Sequence, residues 1–155
     1  MKTAQDILNT KDHDMITVSA DCSIEHALKK MVSHKIGAIL VKQGEQIVGI
    51  WTERDLAHCI LDPEFSIQNT KIGVCMTQKL ISAPNDASVA KLEDMFIGLH
   101  IRHLLIKKGE NYVGLLSIRD VIRASLIEKD RKIKELNAIA SWQYYENWGW
   151  DKRRS

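Results

Sequence analysis

Cysteine, proline and glycine are all scarce in this chain, and each scarcity closes off an architecture. Cys22, Cys59 and Cys75 are an odd number of thiols with no C-x-x-C spacing, which argues against a disulfide framework and against a zinc site. They read as core or surface thiols. Two prolines and eight glycines leave no Pro-rich or Gly/Ser-rich stretch to serve as a long flexible linker, so any subdivision is compact. No run approaches the roughly 18 apolar residues of a membrane span. The opening Met1-Lys2-Thr3-Ala4-Gln5-Asp6 lacks the apolar centre of a secretory signal. A cytoplasmic protein without membrane contact is expected.

An excess of one charge is missing as well. Against 22 basic residues stand 20 acidic ones, a formal net charge of +2, so bulk charge demands no polyanionic partner. Catalytic signatures are absent too: there is no H-E-x-x-H, G-x-S-x-G, Walker A or G-x-G-x-x-G. The six histidines, at 13, 26, 34, 58, 100 and 103, share no metal-ligand spacing. The expectation is a protein that is not an enzyme and holds no metal. With 45% apolar residues, the chain still has material for one sizeable core.

What is present is a duplication. Residues 15–61 reappear at an offset of 65 in residues 80–126. Ile16-Thr17 becomes Ile81-Ser82, and Asp21-Cys22-Ser23-Ile24 becomes Asp86-Ala87-Ser88-Val89. Gly49-Ile50-Trp51-Thr52-Glu53-Arg54-Asp55 returns as Gly114-Leu115-Leu116-Ser117-Ile118-Arg119-Asp120, the pattern G-apolar-x-(T/S)-x-R-D twice over. The lead-ins Asp6-Ile7-Leu8-Asn9 and Val74-Cys75-Met76-Thr77 match at an offset of 68, because the first copy has three extra residues in its following loop. Two copies are too few for an open solenoid and predict two similar units packed about a pseudo-two-fold axis.

Within each copy the pattern predicts a short extended piece, a helix, two strands and a closing helix. Asp21 or Ser23 caps the first helix, whose apolar face is Ile24, Ala27, Leu28 and Met31; its counterpart is Val89, Leu92 and Phe96, with Met95 and Leu99 adding to it. Strands are expected over 37–41 and 46–50, and over 102–106 and 112–116, around turns at Gly44 and Gly109. Closing helices follow over 53–61 and from 118 onward.

The repeated motif has a chemistry of its own. Glycine lets a strand backbone approach a flat ring, the hydroxyl of Thr52 or Ser117 opens a helix, and Asp55 or Asp120 lies in its first turn. A carboxylate there accepts from a vicinal diol, and free helix N–H groups favour phosphate. Arg54 and Arg119 add charge-assisted contacts to phosphate. The same tetrads are also plain helix caps worth about 1 kcal/mol, and a cap needs no ligand.

In this order of elements, with the glycine-hydroxyl-acid motif in both copies, the chain resembles the CBS domain, named after cystathionine β-synthase. The resemblance covers residues 5–62 and 70–127, and 128–155 form a C-terminal extension. It implies an α+β fold in which two CBS domains form one disc-like module with two clefts. Members of the family bind AMP, ADP, ATP or other adenosyl compounds there. Carried over by position, backbone near Thr17 and Ser82 meets the adenine edge, and Ala38 and His103 lie across from them. Ile16, Ile81, Ile50 and Leu115 sandwich the base, although each is equally an ordinary core residue. Lys35, Arg54, Arg102 and Arg119 set the number of phosphates accommodated. The first copy has Gly37-Ala38 where the second has Arg102-His103, so the clefts are not equivalent. Protonation of His103 would make a phosphate contact depend on pH near neutrality.

Two readings follow. One is a sensor in which an adenine nucleotide shifts the paired domains between arrangements; the other is a ligand-free module that serves assembly. Family habit implies a homodimer of two such pairs. Ile122, Leu126, Ile133, Leu136 and Ala140 continue the closing helix as a heptad stripe interrupted by Lys129. After it, residues Trp142 to Trp150 hold three of the four tryptophans, a segment expected to pack on a neighbouring subunit, on a partner or back on its own domains. The terminal Asp151-Lys152-Arg153-Arg154-Ser155 is too thin an electrostatic footprint to predict nucleic-acid binding.

Overall fold

A serine opens the long helix of each repeat. Ser23 Oγ accepts from the His26 N–H and Ser88 Oγ from the Lys91 N–H, both at 3.2 Å, so the caps fall on equivalent residues. The structure, a computed structural model, describes residues 1–12 and 14–147, with side chains described as far as residue 141. The packing expected of Trp142 to Trp150 therefore rests on side chains outside the described ones.

The elements are α1 (Ala4–Asn9), β1 (Thr17–Ser19), α2 (Ile24–His34), β2 (Ala38–Gln43), β3 (Gln46–Thr52), α3 (Glu53–Ile60), α4 (Ile72–Cys75), β4 (Ser82–Pro84), α5 (Val89–Leu99), β5 (His103–Lys108), β6 (Asn111–Ser117) and α6 (Ile118–Asn147). They build two three-stranded sheets, β1-β2-β3 and β4-β5-β6. In each, the short first strand runs parallel to the second and the second pairs antiparallel with the third. The hairpin strands run longer than the apolar pattern suggests. Pairing continues to Gln43–Gln46 and Lys108–Asn111 across two-residue turns, with Gly44 and Gly109 at φ +63° and +61°.

Each sheet covers its own core. Val18, Ile24, Ala27, Met31, Ile39, Val41 and Trp51 pack together in the first repeat, and Ala83, Val89, Leu92, Phe96, Leu104, Ile106 and Leu116 in the second. The helix stripes therefore face inward as their spacing predicts. Leu99 departs from this: at the last turn of α5 it is 49% exposed. The three cysteines are free and partly buried, and burial together with neighbouring Cys59 pushes the Cys75 thiol up to about 11.

The lead-ins are exchanged. Helix α1 precedes the first repeat but packs on the second, where Ala4 and Ile7 join the core. Ala4 N–H donates to Ala87 O and Gln5 N–H to Asn85 O. Helix α4 precedes the second repeat but packs on the first: Ile72 joins that core, Ile72 N–H donates to Cys22 O and Gly73 N–H to Ala20 O. The two halves are thereby clasped.

That clasp explains two glycines. A Cβ at Gly49 would collide with the Met76 side chain, and one at Gly114 with Leu8, so each glycine makes room for the lead-in that crosses its strand. The close approach expected of a ligand ring is made by the chain itself. Gly114→Ala is expected to cost about 1–3 kcal/mol through overpacking. Thermal melts of Gly114→Ala, Leu8→Ala and the double variant test this. The double variant should be no less stable than Leu8→Ala alone, and strictly additive losses would refute the contact.

Candidate functional site

Both helix openings form as caps. Thr52 N–H donates to Asp55 Oδ2 at 2.9 Å and Asp55 N–H to Thr52 Oγ1 at 3.3 Å. In the second repeat Ser117 N–H donates to Asp120 Oδ2 at 2.8 Å and Asp120 N–H to Ser117 Oγ at 3.2 Å. The capping alternative is thus real, yet it does not draw the acids away from the clefts. Asp120 lines a cleft of about 780 Å³ and Asp55 a second of about 300 Å³. A reciprocal cap fixes the rotamer of each carboxylate and so presents it in a set direction.

Each cleft is built from both repeats. The first sets Leu115, Ser117, Arg119 and Asp120 of the second repeat opposite Ile16, Met31, Lys35 and Ala38 of the first. The second sets Ile50, Thr52, Arg54 and Asp55 of the first repeat opposite Leu80, Ile81, His100 and Leu105 of the second. Arg102 and His103 line both clefts, between them. Of the residues singled out from sequence, Thr17 and Ser82 stand apart. They are strand residues paired with Leu40 and Leu105, and it is the preceding Ile16 and Ile81 that reach the clefts.

Lys35 and His100 occupy a special position. As C-caps of α2 and α5 they are left-handed, with φ of 53° and 52°, where glycine is the usual occupant. Both line a cleft, Lys35 the first and His100 the second. A cationic or titratable side chain is thus displayed at equivalent rims despite the backbone strain.

Among the cleft residues that sequence reasoning passed over are Lys11, Lys79 and Glu53. Lys11 lies in the first cleft and Lys79 in the second, and they sit two residues beyond Asn9 and Thr77, the matched ends of the lead-ins. Extending the 68-residue offset by two positions reveals them. Glu53 lines both clefts and takes the place held by Ile118 in the second repeat; its N–H donates to Gly37 O at 3.1 Å as that of Ile118 does to Arg102 O at 2.9 Å.

Charge within the first cleft is organised around Lys11. Its Nζ lies 3.0 Å from Asp120 Oδ2 and donates to Leu115 O at 3.0 Å. Burial disfavours the Asp120 carboxylate, but the Ser117 N–H and Lys11 outweigh it and hold the group below the usual carboxylate range. His103 moves the other way from the sequence expectation. Burial first, then Lys11 and Arg102 against an opposing Asp120, keep its imidazole below the ordinary value. The neutral imidazole is thereby favoured, and protonating it takes more acid than an ordinary histidine needs. Among the described residues, no cluster of three His, Cys, Asp or Glu could hold a metal ion, and no helix is long and apolar enough to cross a membrane.

Comparison with other proteins agrees with this architecture. The family model for the CBS domain matches residues 4–62 and 71–127. CBS domain-containing protein CBSX3, mitochondrial, of Arabidopsis thaliana is 32% identical over 151 residues, covering 92% of this chain and 73% of the relative. Arabinose 5-phosphate isomerase KdsD of Yersinia pestis is 28% identical over 79% of this chain, but only 37% of the isomerase is covered. Among solved structures, a putative signal-transduction protein with CBS domains from Burkholderia ambifaria MC40-6 superposes with a TM-score of 0.76 at 30% identity, covering 81% of this chain and 95% of the other. Two more distant structures share the fold. One is CBSX2 in complex with AMP, with TM-score 0.68, 18% identity and coverage of 83% and 99%. The other is the CBS domain pair of protein MJ0100 in complex with 5-methylthioadenosine and S-adenosyl-L-methionine, with TM-score 0.70, 22% identity and coverage of 83% and 98%. With both repeats matched and the lead-ins clasping them into one pair, the chain belongs to the CBS domain family.

Proposed function

We propose that this protein is a sensor of adenine nucleotides, not an enzyme, acting in the cytoplasm. The observation that carries the reading is the crossed construction of the clefts: a hydroxyl and carboxylate from one repeat face an apolar shelf from the other. The carboxylate suits ribose hydroxyls, the shelf suits an adenine face, and Lys35, Arg54, Arg102 and Arg119 suit phosphate. Volumes of about 780 and 300 Å³ fall within the range of small-ligand sites, about 300–1,000 Å³. AMP, ADP, ATP and adenosyl compounds share the nucleoside these groups would recognise, and CBSX2 and the MJ0100 pair hold such ligands on the same fold. A ligand touching both repeats changes their relative stability in each arrangement, and that population shift is the signal. Calorimetric titration with AMP, ADP, ATP and S-adenosylmethionine tests the reading: at least one should bind saturably, and no heat with any of the four would end it.

Assembly is a second reading with its own observation. Beyond the second core, α6 carries Ile122, Leu126, Ile133 and Leu136 on one heptad stripe, and all are exposed, Leu126 at 62% and Leu136 at 56%. A lone helix of this length gains little in water without a partner for that stripe. We propose that it pairs with α6 of a second copy, giving a homodimer. Ending the chain at Asp130 keeps the anchors Glu128 and Lys129, which bond Lys2 N–H and Glu93 respectively. Sedimentation should then show the full chain as a dimer and the shortened chain as a monomer; an unchanged mass would rule out this interface.

A further inference from the structure

One carbonyl separates the two clefts. In the second, Ile50 O accepts from the Thr77 N–H at 2.8 Å, a backbone bridge that closes the lead-in onto β3. The equivalent carbonyl of the first cleft, Leu115 O, accepts instead from Lys11 Nζ at 3.0 Å. Helix α1 keeps Asn9 helical, where its counterpart Thr77 is extended into the bridge, and the longer loop that follows turns Lys11 inward. The same ammonium lies 3.0 Å from Asp120, and both side chains are only about a quarter exposed, at 23% and 24%. Among the described residues Lys79 forms no such pair with Asp55, although it lines the second cleft.

We propose that Lys11 makes the first cleft selective for phosphorylated adenine ligands over neutral or cationic ones, an inference that rests on the nucleotide reading above. Lys11 is the internal counterion of the carboxylate that would receive the ribose diol. A neutral nucleoside whose diol donates to the Asp120 carboxylate competes with Lys11 for its charge and leaves the part-buried ammonium with a weakened partner beside the Leu115 carbonyl. A cationic adenosyl compound adds repulsion. A 5′-phosphate gives the ammonium a further charge-assisted partner beside Lys35, Arg102 and Arg119, which line the same cleft. Among the described residues the second cleft shows no such ion pair, so its binding depends less on phosphate.

The test is calorimetry on the full chain, with AMP and adenosine as probes and Asp55→Asn to silence the second cleft. In that background AMP should bind about thirtyfold or more tightly than adenosine, the scale of one hydrogen-bonded charge pair. Adding Lys11→Met should shrink the ratio to within about threefold, mainly by strengthening adenosine, while Lys11→Arg should keep it. A ratio that survives Lys11→Met, or equal weakening of both ligands, overturns the proposal. So does loss of all binding in the Asp55→Asn background when the wild-type chain binds, since the first cleft is then no site. In each of these cases the nucleotide reading stands. If the wild-type chain binds neither probe nor any other adenine ligand, both readings fall together.

Discussion

Replacing Asp55 and Asp120 together by asparagine should weaken adenine-nucleotide binding by about tenfold or more at each cleft while leaving the fold in place. The choice of asparagine matters. Asn keeps a side-chain carbonyl three residues into each helix opening, so the bonds from Thr52 N–H and Ser117 N–H have an acceptor in the variant. What is lost is the negative charge that strengthens hydrogen bonds from a diol. Helical content and melting temperature therefore serve as the control, and affinity for AMP by calorimetry is the readout. Unchanged affinity would reduce both tetrads to caps and remove the sensor reading.

Deleting residues 1–9 should damage the second repeat more than the first, although the segment adjoins the first in sequence. The deletion strips Ala4 and Ile7 from the second core and removes the bonds from Ala4 N–H and Gln5 N–H to Ala87 O and Asn85 O. Truncating one buried Ile to Ala alone costs about 2–5 kcal/mol, so the loss is of that order or more. Hydrogen exchange locates it. Amides of β5 and β6 should lose protection while those of β2 and β3 hold theirs; a loss centred on β2 and β3 would contradict the exchanged lead-ins.

Much of this was legible because it is local. Ser23, Ser88, Thr52 and Ser117 act on N–H groups three residues away, and the helix stripes and hairpins repeat over a few residues, so spacing alone locates them. The duplication supplied the rest, because two copies in register make a weak motif specific. Gly49 and Gly114 mark where reading by type stops. A repeated spacing of glycines signals a close approach but not by what, and here the neighbours are Met76 and Leu8 from lead-ins of the opposite half. Lys11 escaped for the same reason: its partners Leu115 and Asp120 are more than a hundred residues away.

Sequence alone determined that there are two like units, where each begins its helices, and which hydroxyl and acid open them. These follow from backbone geometry and apolar period, which act within a few residues. Only the tertiary structure decided that each cleft draws its acid from one repeat and its shelf from the other, that the lead-ins cross over, and that Lys11 pairs with Asp120 while, among the described residues, Lys79 makes no such pair with Asp55. Such choices depend on which surfaces fit against each other, and on three extra loop residues that trade a backbone bridge for an ammonium. No rule of spacing carries that information.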